Sequence, residues 1–155
     1  MIGGWPGPRL TWAIVLAGLV AGCQAGPPPP LSAASPASID TVRGDVATVL
    51  EREGLTVEQT ADGLRATSDA ARFTRCRPVL VSGASGSDSS RKMARAAERS
   101  ATALVRFTSS DGGTRADWNT SYSGRYYDIV RNDHFTRDCE GTGALEALLV
   151  AAVTG

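Results

Sequence analysis

The spacing of apolar and polar positions changes period several times along this chain, and each change marks an element. After an apolar run at residues 10–21, Ile39, Val42, Val46, Val49 and Leu50 recur at helical spacing. Ser38 stands where a capping oxygen is needed and Gly54 where a left-handed terminator belongs, so a helix is predicted between them. Residues 55–60 then alternate, a turn signal follows at Ala61-Asp62-Gly63, and residues 64–69 alternate again, the pattern of a hairpin. A third strand over residues 71–82 is interrupted by Pro78, which should force a bulge or an edge position there.

Residues 83–90 read as a polar loop, and residues 91–101, rich in helix formers and free of Gly and Pro, predict a short helix. A second hairpin is predicted from residues 102–109 and 114–122 around Asp111-Gly112-Gly113, with residues 125–130 extending it or adding a strand. Residues 144–153 are apolar almost all round and predict a buried helix with Thr142 as its cap. The order helix, hairpin, strand, short helix, hairpin, helix favours an α+β fold. The expectation is a single small domain, an antiparallel sheet of about five strands with helices packed on one face.

The apolar run at residues 10–21 follows the single charge of Arg9. About a dozen residues cover about 18 Å as a helix, short of the ~30 Å hydrocarbon core, so the run suits the core of a secretory signal better than a permanent span. It ends in Leu19-Val20-Ala21-Gly22-Cys23, which resembles the lipobox of bacterial lipoproteins. The match covers this N-terminal stretch alone. Val20 stands where Leu is commoner, and the charged region before the run is weak, with Gly3-Gly4-Trp5-Pro6-Gly7-Pro8 inside it. The resemblance implies cleavage before Cys23, a diacylglyceryl thioether on its sulfur and acylation of the freed amine, enough chains for a stable anchor. Gln24 then occupies the position where Asp commonly retains lipoproteins in the inner membrane, which implies an outer-membrane anchor facing the periplasm. Residues 1–22 are thus read as signal peptide and 23–36 as lipidated cysteine and spacer. Four consecutive prolines favour extended polyproline II, holding the domain at 37–155 off the bilayer.

Charge refines this picture. Sixteen basic and sixteen acidic side chains cancel, which removes the usual footprint of a nucleic-acid binder. They are segregated: residues 39–69 are mainly acidic, 72–115 mainly basic, and the chain turns acidic again from Asp117, with Lys92 the only lysine. With Cys23 lipidated, Cys76 and Cys139 remain, and in an oxidising compartment they should pair. Two isolated cysteines and one histidine lack the paired spacing of a structural metal site, so no metal or cofactor is expected.

Three patterns carry candidate chemistry. Ser85 follows a strand and precedes the predicted helix as a nucleophile elbow would, with His134 as base and Asp133 or Asp138 to orient it. Gly86 directly follows Ser85, however, which departs from G-x-S-x-G, and a Ser/Gly run is more often a solvated loop. The same loop lacks the Walker pattern that phosphate cradling would call for. Arg91, Arg95 and Arg99 would share one face of the predicted helix, with Lys92 at its margin, and could grip an anionic envelope polymer; a solvated face is the simpler reading. Trp118 and Tyr122 share strand parity, near Tyr126 and Tyr127, and could stack on sugars or pack beneath the last helix. The favoured reading is non-enzymatic: a lipid-anchored envelope protein serving assembly, scaffolding or binding. A glycan- or anionic-polymer-binding module is the alternative, and a serine hydrolase the third.

Overall fold

The computed structural model describes residues 31–81 and 92–155. Helix α1 spans Ile39–Arg52, and Ser38 Oγ accepts from the Thr41 amide as the cap. Val42, Val46 and Leu50 lie on its buried stripe, and Gly54, at φ 79°, turns the chain into the first hairpin. That hairpin pairs β2 (Thr56–Thr60) with β3 (Gly63–Ser68), Val57 opposite Ala66. Gly63 is obligatory for packing, because a Cβ there would sit 1.9 Å from the Val105 carbonyl oxygen.

To number the strands in chain order, β1 is Ser32–Ser35, which precedes α1. It falls in the segment read as spacer, yet it pairs antiparallel with a strand some eighty residues on, Ser32 opposite Asp117. The pairing runs back to Leu31, whose carbonyl accepts from the Trp118 amide at 2.9 Å. Prolines 27–30 carry no N–H and could not donate to further rungs of this ladder. Residues 31–35, read as part of the spacer, therefore belong to the sheet.

Pro78 divides the predicted third strand into β4 (Thr74–Arg75) and β5 (Val79–Val81), which join different two-stranded ribbons. The short helix expected at residues 91–101 is not formed: Lys92–Ala94 is β6, paired with β5, and Ala96–Ser110 is β7. Helix propensity is worth only tenths of a kcal/mol per residue, and a short isolated helix is marginal in water. Here the competitor is β8 (Gly113–Asp128), whose rungs with β7 run from Ser110 opposite Gly113 back to Ala96 opposite Tyr126, with one register shift between Ala96 and Glu98. Strand β9 (Asp133–Asp138) folds back on the end of β8, β10 (Glu140–Gly141) pairs with β4, and helix α2 spans Ala144–Thr154.

The main sheet has the order β1-β8-β7-β3-β2, with β9 also against β8, and all its pairings are antiparallel. The domain is small, single and dominated by strands, with two helices. Val42, Val46 and Leu50 of α1 and Leu145, Leu149 and Val153 of α2 share one buried cluster with Leu64, Ala66, Ala103, Val105, Phe107 and Trp118 of the sheet. Thr142 is not the cap of α2; Gly143, at φ 84°, takes that place, while the Thr142 hydroxyl donates to the Arg72 carbonyl at 2.6 Å. No helix among the described residues is long and apolar enough to cross a membrane.

Candidate functional site

The two short strands β4 and β10 bring the cysteines together. Arg75 lies opposite Glu140 and Thr74 opposite Gly141, so Cys76 and Cys139 follow and precede paired positions and are joined by a disulfide, Cα atoms 4.8 Å apart. The bridge lies over Gly124 of β8, where a Cβ would approach Cys76 Sγ to 2.8 Å and Cys139 Sγ to 3.0 Å. An exposed ion pair between Arg77 and Glu140 flanks it at 2.8 Å.

Beneath the neighbouring rung lies a polar cluster the sequence reading did not anticipate. Glu146, in the first turn of α2, is only 3 % exposed. Its Oε1 accepts from the Tyr122 hydroxyl at 2.5 Å and the Thr120 hydroxyl at 2.7 Å. The position near a helix N-terminus favours an acidic group, and both donors come from the same face of β8. Burial, and then the bond to Glu146, push the Tyr122 phenol well above its ordinary range, because each opposes a second negative charge at this point. Glu146 is the only charged residue of α2, a signal legible in the sequence: a charge in an otherwise apolar helix needs a partner.

Trp118 and Tyr122 do share a face, and it is the face that contributes to the buried cluster. Trp118 is 5 % exposed, opposite Val105, and Tyr122 packs against the same cluster. Their placement is that of core side chains. The arginine stripe does not form on a helix: Arg95 is exposed at the break between β6 and β7, and Arg99 lies within β7 opposite Gly124, partly buried beside Asp69 and Thr67. Arg91, Ser85 with its loop, and Cys23 lie outside the described residues. His134 is exposed on β9, opposite Tyr127, with ring centroids 5.1 Å apart; Asp133 accepts from the His134 backbone amide and not from its ring. Asp138 is exposed at the other end of β9.

The face of the sheet opposite Trp118 and Tyr122 is polar. One row across four strands reads Thr56, Thr67, Thr102, Ser121, and the next reads Glu58, Arg65, Leu104, Asn119. A groove of about 550 Å³ on this side is lined by Thr60, Asp62, Leu104, Arg106, Asp117 and Asn119. Leu64, Val105 and Trp118 line it as well, so hydroxyl, amide, carboxylate and guanidinium groups rim a largely apolar floor, an arrangement suited to hydrogen-bonding the edge of a ligand, and nothing in the set is a nucleophile–base pair. Compared with protein-family models, curated proteins and solved structures, the chain matches none.

Proposed function

We propose that this chain is a lipid-anchored bacterial envelope protein, held through Cys23 in the outer membrane and facing the periplasm, whose disulfide-stapled domain has a non-enzymatic role in assembly, scaffolding or binding. The observation that carries the reading is the Cys76–Cys139 bridge. A disulfide of this kind persists in oxidising compartments, and it accounts for two of the three cysteines, leaving Cys23 at the end of the lipobox-like Leu19–Cys23 stretch. The layering supports it as well: with both helices read as covering one side of the sheet, the other side is free for a partner.

The test is metabolic labelling with a fatty acid. The parent protein should take up label and fractionate with membranes, and Cys23→Ser should do neither. Continued labelling of the Cys23→Ser protein would remove the anchor from its assigned place.

A second reading is favoured by the groove on the open face: a binding module for a glycan or anionic polymer, with Asn119 and Arg106 as hydrogen-bond donors in place of the arginine stripe. Loss of peptidoglycan or lipopolysaccharide binding on Arg106→Glu and Asn119→Ala, with the fold intact, is the expected result. Unchanged binding would discard the groove.

A further inference from the structure

Strand β1 sets the direction in which the preceding chain leaves the domain. Ser35 lies opposite Thr114, Ser32 opposite Asp117, and Leu31 meets Trp118, so β1, followed from Ser35 back to Leu31, points toward the Asp128 end of β8. Eight residue steps separate Leu31 from Cys23, a reach of at most about 29 Å when fully extended. The ten residues of β8 beyond Trp118 cover about 34 Å. A domain tethered at Cys23 with that end leading thus meets the bilayer before its tether is used up.

The same end carries most of the exposed apolar side chains. Leu80 and Met93 are cross-strand partners on the β5–β6 ribbon, both exposed, while Val81 and Ala94 of that ribbon pack on Tyr126 near the end of β8. The turn from β8 to β9 adds Tyr127, Ile129 at 57 % exposure and Val130 at 44 %. Arg95 and Arg131 are exposed beside them. At the opposite end, the turns at Asp62 and Asp111-Gly112 expose no large apolar side chain among the described residues; Leu104 lies mid-sheet on the open face.

We propose that this end of the domain, the β8–β9 turn together with the β5–β6 ribbon, docks into the headgroup layer of the membrane that holds the Cys23 lipid. The inference rests on the lipid-anchor reading. Aliphatic side chains with a tyrosine and flanking arginines match the interfacial zone, where apolar groups leave water and guanidinium groups meet phosphates. Eight residues of tether keep the patch at high effective concentration against the bilayer, so a contact too weak to recruit a free protein is occupied in an anchored one. The domain then lies against its membrane with the open sheet face directed sideways, not held off on a stalk.

The test uses tryptophan emission. Trp118 is the only tryptophan after Cys23 and is buried, so an added one is read, here and below, as the emission left after subtracting that of the parent protein in the same vesicles. The full-length chain, processed and lipidated in cells, is reconstituted into vesicles of phosphatidylethanolamine and phosphatidylglycerol with brominated acyl chains. Ile129→Trp is compared with Asp111→Trp at the far end, and Val130→Trp replaces the first if it folds poorly. Emission from the Ile129→Trp protein should fall at least twofold relative to unbrominated vesicles, and that from the Asp111→Trp protein should change little. Equal, small quenching in both, with the lipid on Cys23 verified by mass, overturns the docking and leaves the anchor standing. Absence of lipid on Cys23 overturns both. A Cys23→Ser chain that dimerises, and is returned to monomer by Ile129→Asp, would assign the patch to a second copy and sink the proposal.

Discussion

The Tyr122 hydroxyl donates to Glu146 Oε1 at 2.5 Å, and this bond ties the middle of β8 to the first turn of α2. Thr120, two residues earlier on the same face, donates to the same oxygen. A buried carboxyl group is costly unless it is hydrogen-bonded; here two hydroxyls satisfy Oε1, while Oε2 is buried with no hydrogen-bond partner.

Tyr122→Phe should lower stability by about 0.5–1.5 kcal/mol, the net worth of one hydrogen bond, because Thr120 still donates to the same oxygen. Glu146→Ala strands two hydroxyls at once and should cost more than Glu146→Gln, which still accepts. Urea midpoints of the three variants check the order.

The same bond predicts alkaline lability. The phenol titrates above its ordinary value of 10.0 in the folded domain. Below pH 10 both folded and unfolded chains are neutral there and the contribution is fully present. As pH rises past the unfolded value the unfolded chain loses its proton first, so unfolding becomes more favourable and stability declines. Tyr122→Phe should flatten that decline in melts taken between pH 9 and 11, and an unchanged slope would count against the assignment.

Cys76 and Cys139 are 63 residues apart, a loop whose closure is worth about 4 kcal/mol in the chain-entropy account. The paired Cys76→Ala and Cys139→Ala protein should lose about that much in denaturant titrations, and β10 should exchange its amides faster than the core of β7.

A Cβ added at Gly124 would meet both sulfurs and the Cβ of Ala96 within 3.1 Å. Gly124→Ala should therefore destabilise the domain by about 1–3 kcal/mol, the range for overpacking. In the protein lacking both cysteine sulfurs the penalty should shrink, and a double-mutant cycle measures the coupling. Additive effects would mean that Ala96, not the bridge, sets the restraint.

Helix α1, the β2–β3 hairpin and α2 could be read from the chain because each is specified by neighbours within one or two turns of sequence: Ser38 with Val42 and Val46, Gly63 after Asp62, the apolar run around Leu145 and Leu149. The pairing of Cys76 with Cys139 followed from counting cysteines in a chain read as exported, a matter of chemistry and compartment, not of position. What only the tertiary structure decided were the places where distant partners outweigh local preference. Residues 96–101 carry helix formers, yet Ala101 and Ala103 complete rungs opposite Tyr122 and Thr120, and a continuous ladder outweighs the tenths of a kcal/mol of intrinsic propensity. Ser32–Ser35 has no apolar period at all and becomes a strand because the edge of β8 lies open to it. Trp118 and Tyr122 were legible as sharing a face, but parity does not tell which face is covered; the positions of α1 and α2 do. Glu146 is a lone charge in an apolar helix, a signal the sequence reading passed over, and its partners 24 and 26 residues earlier in sequence became neighbours only in the folded domain.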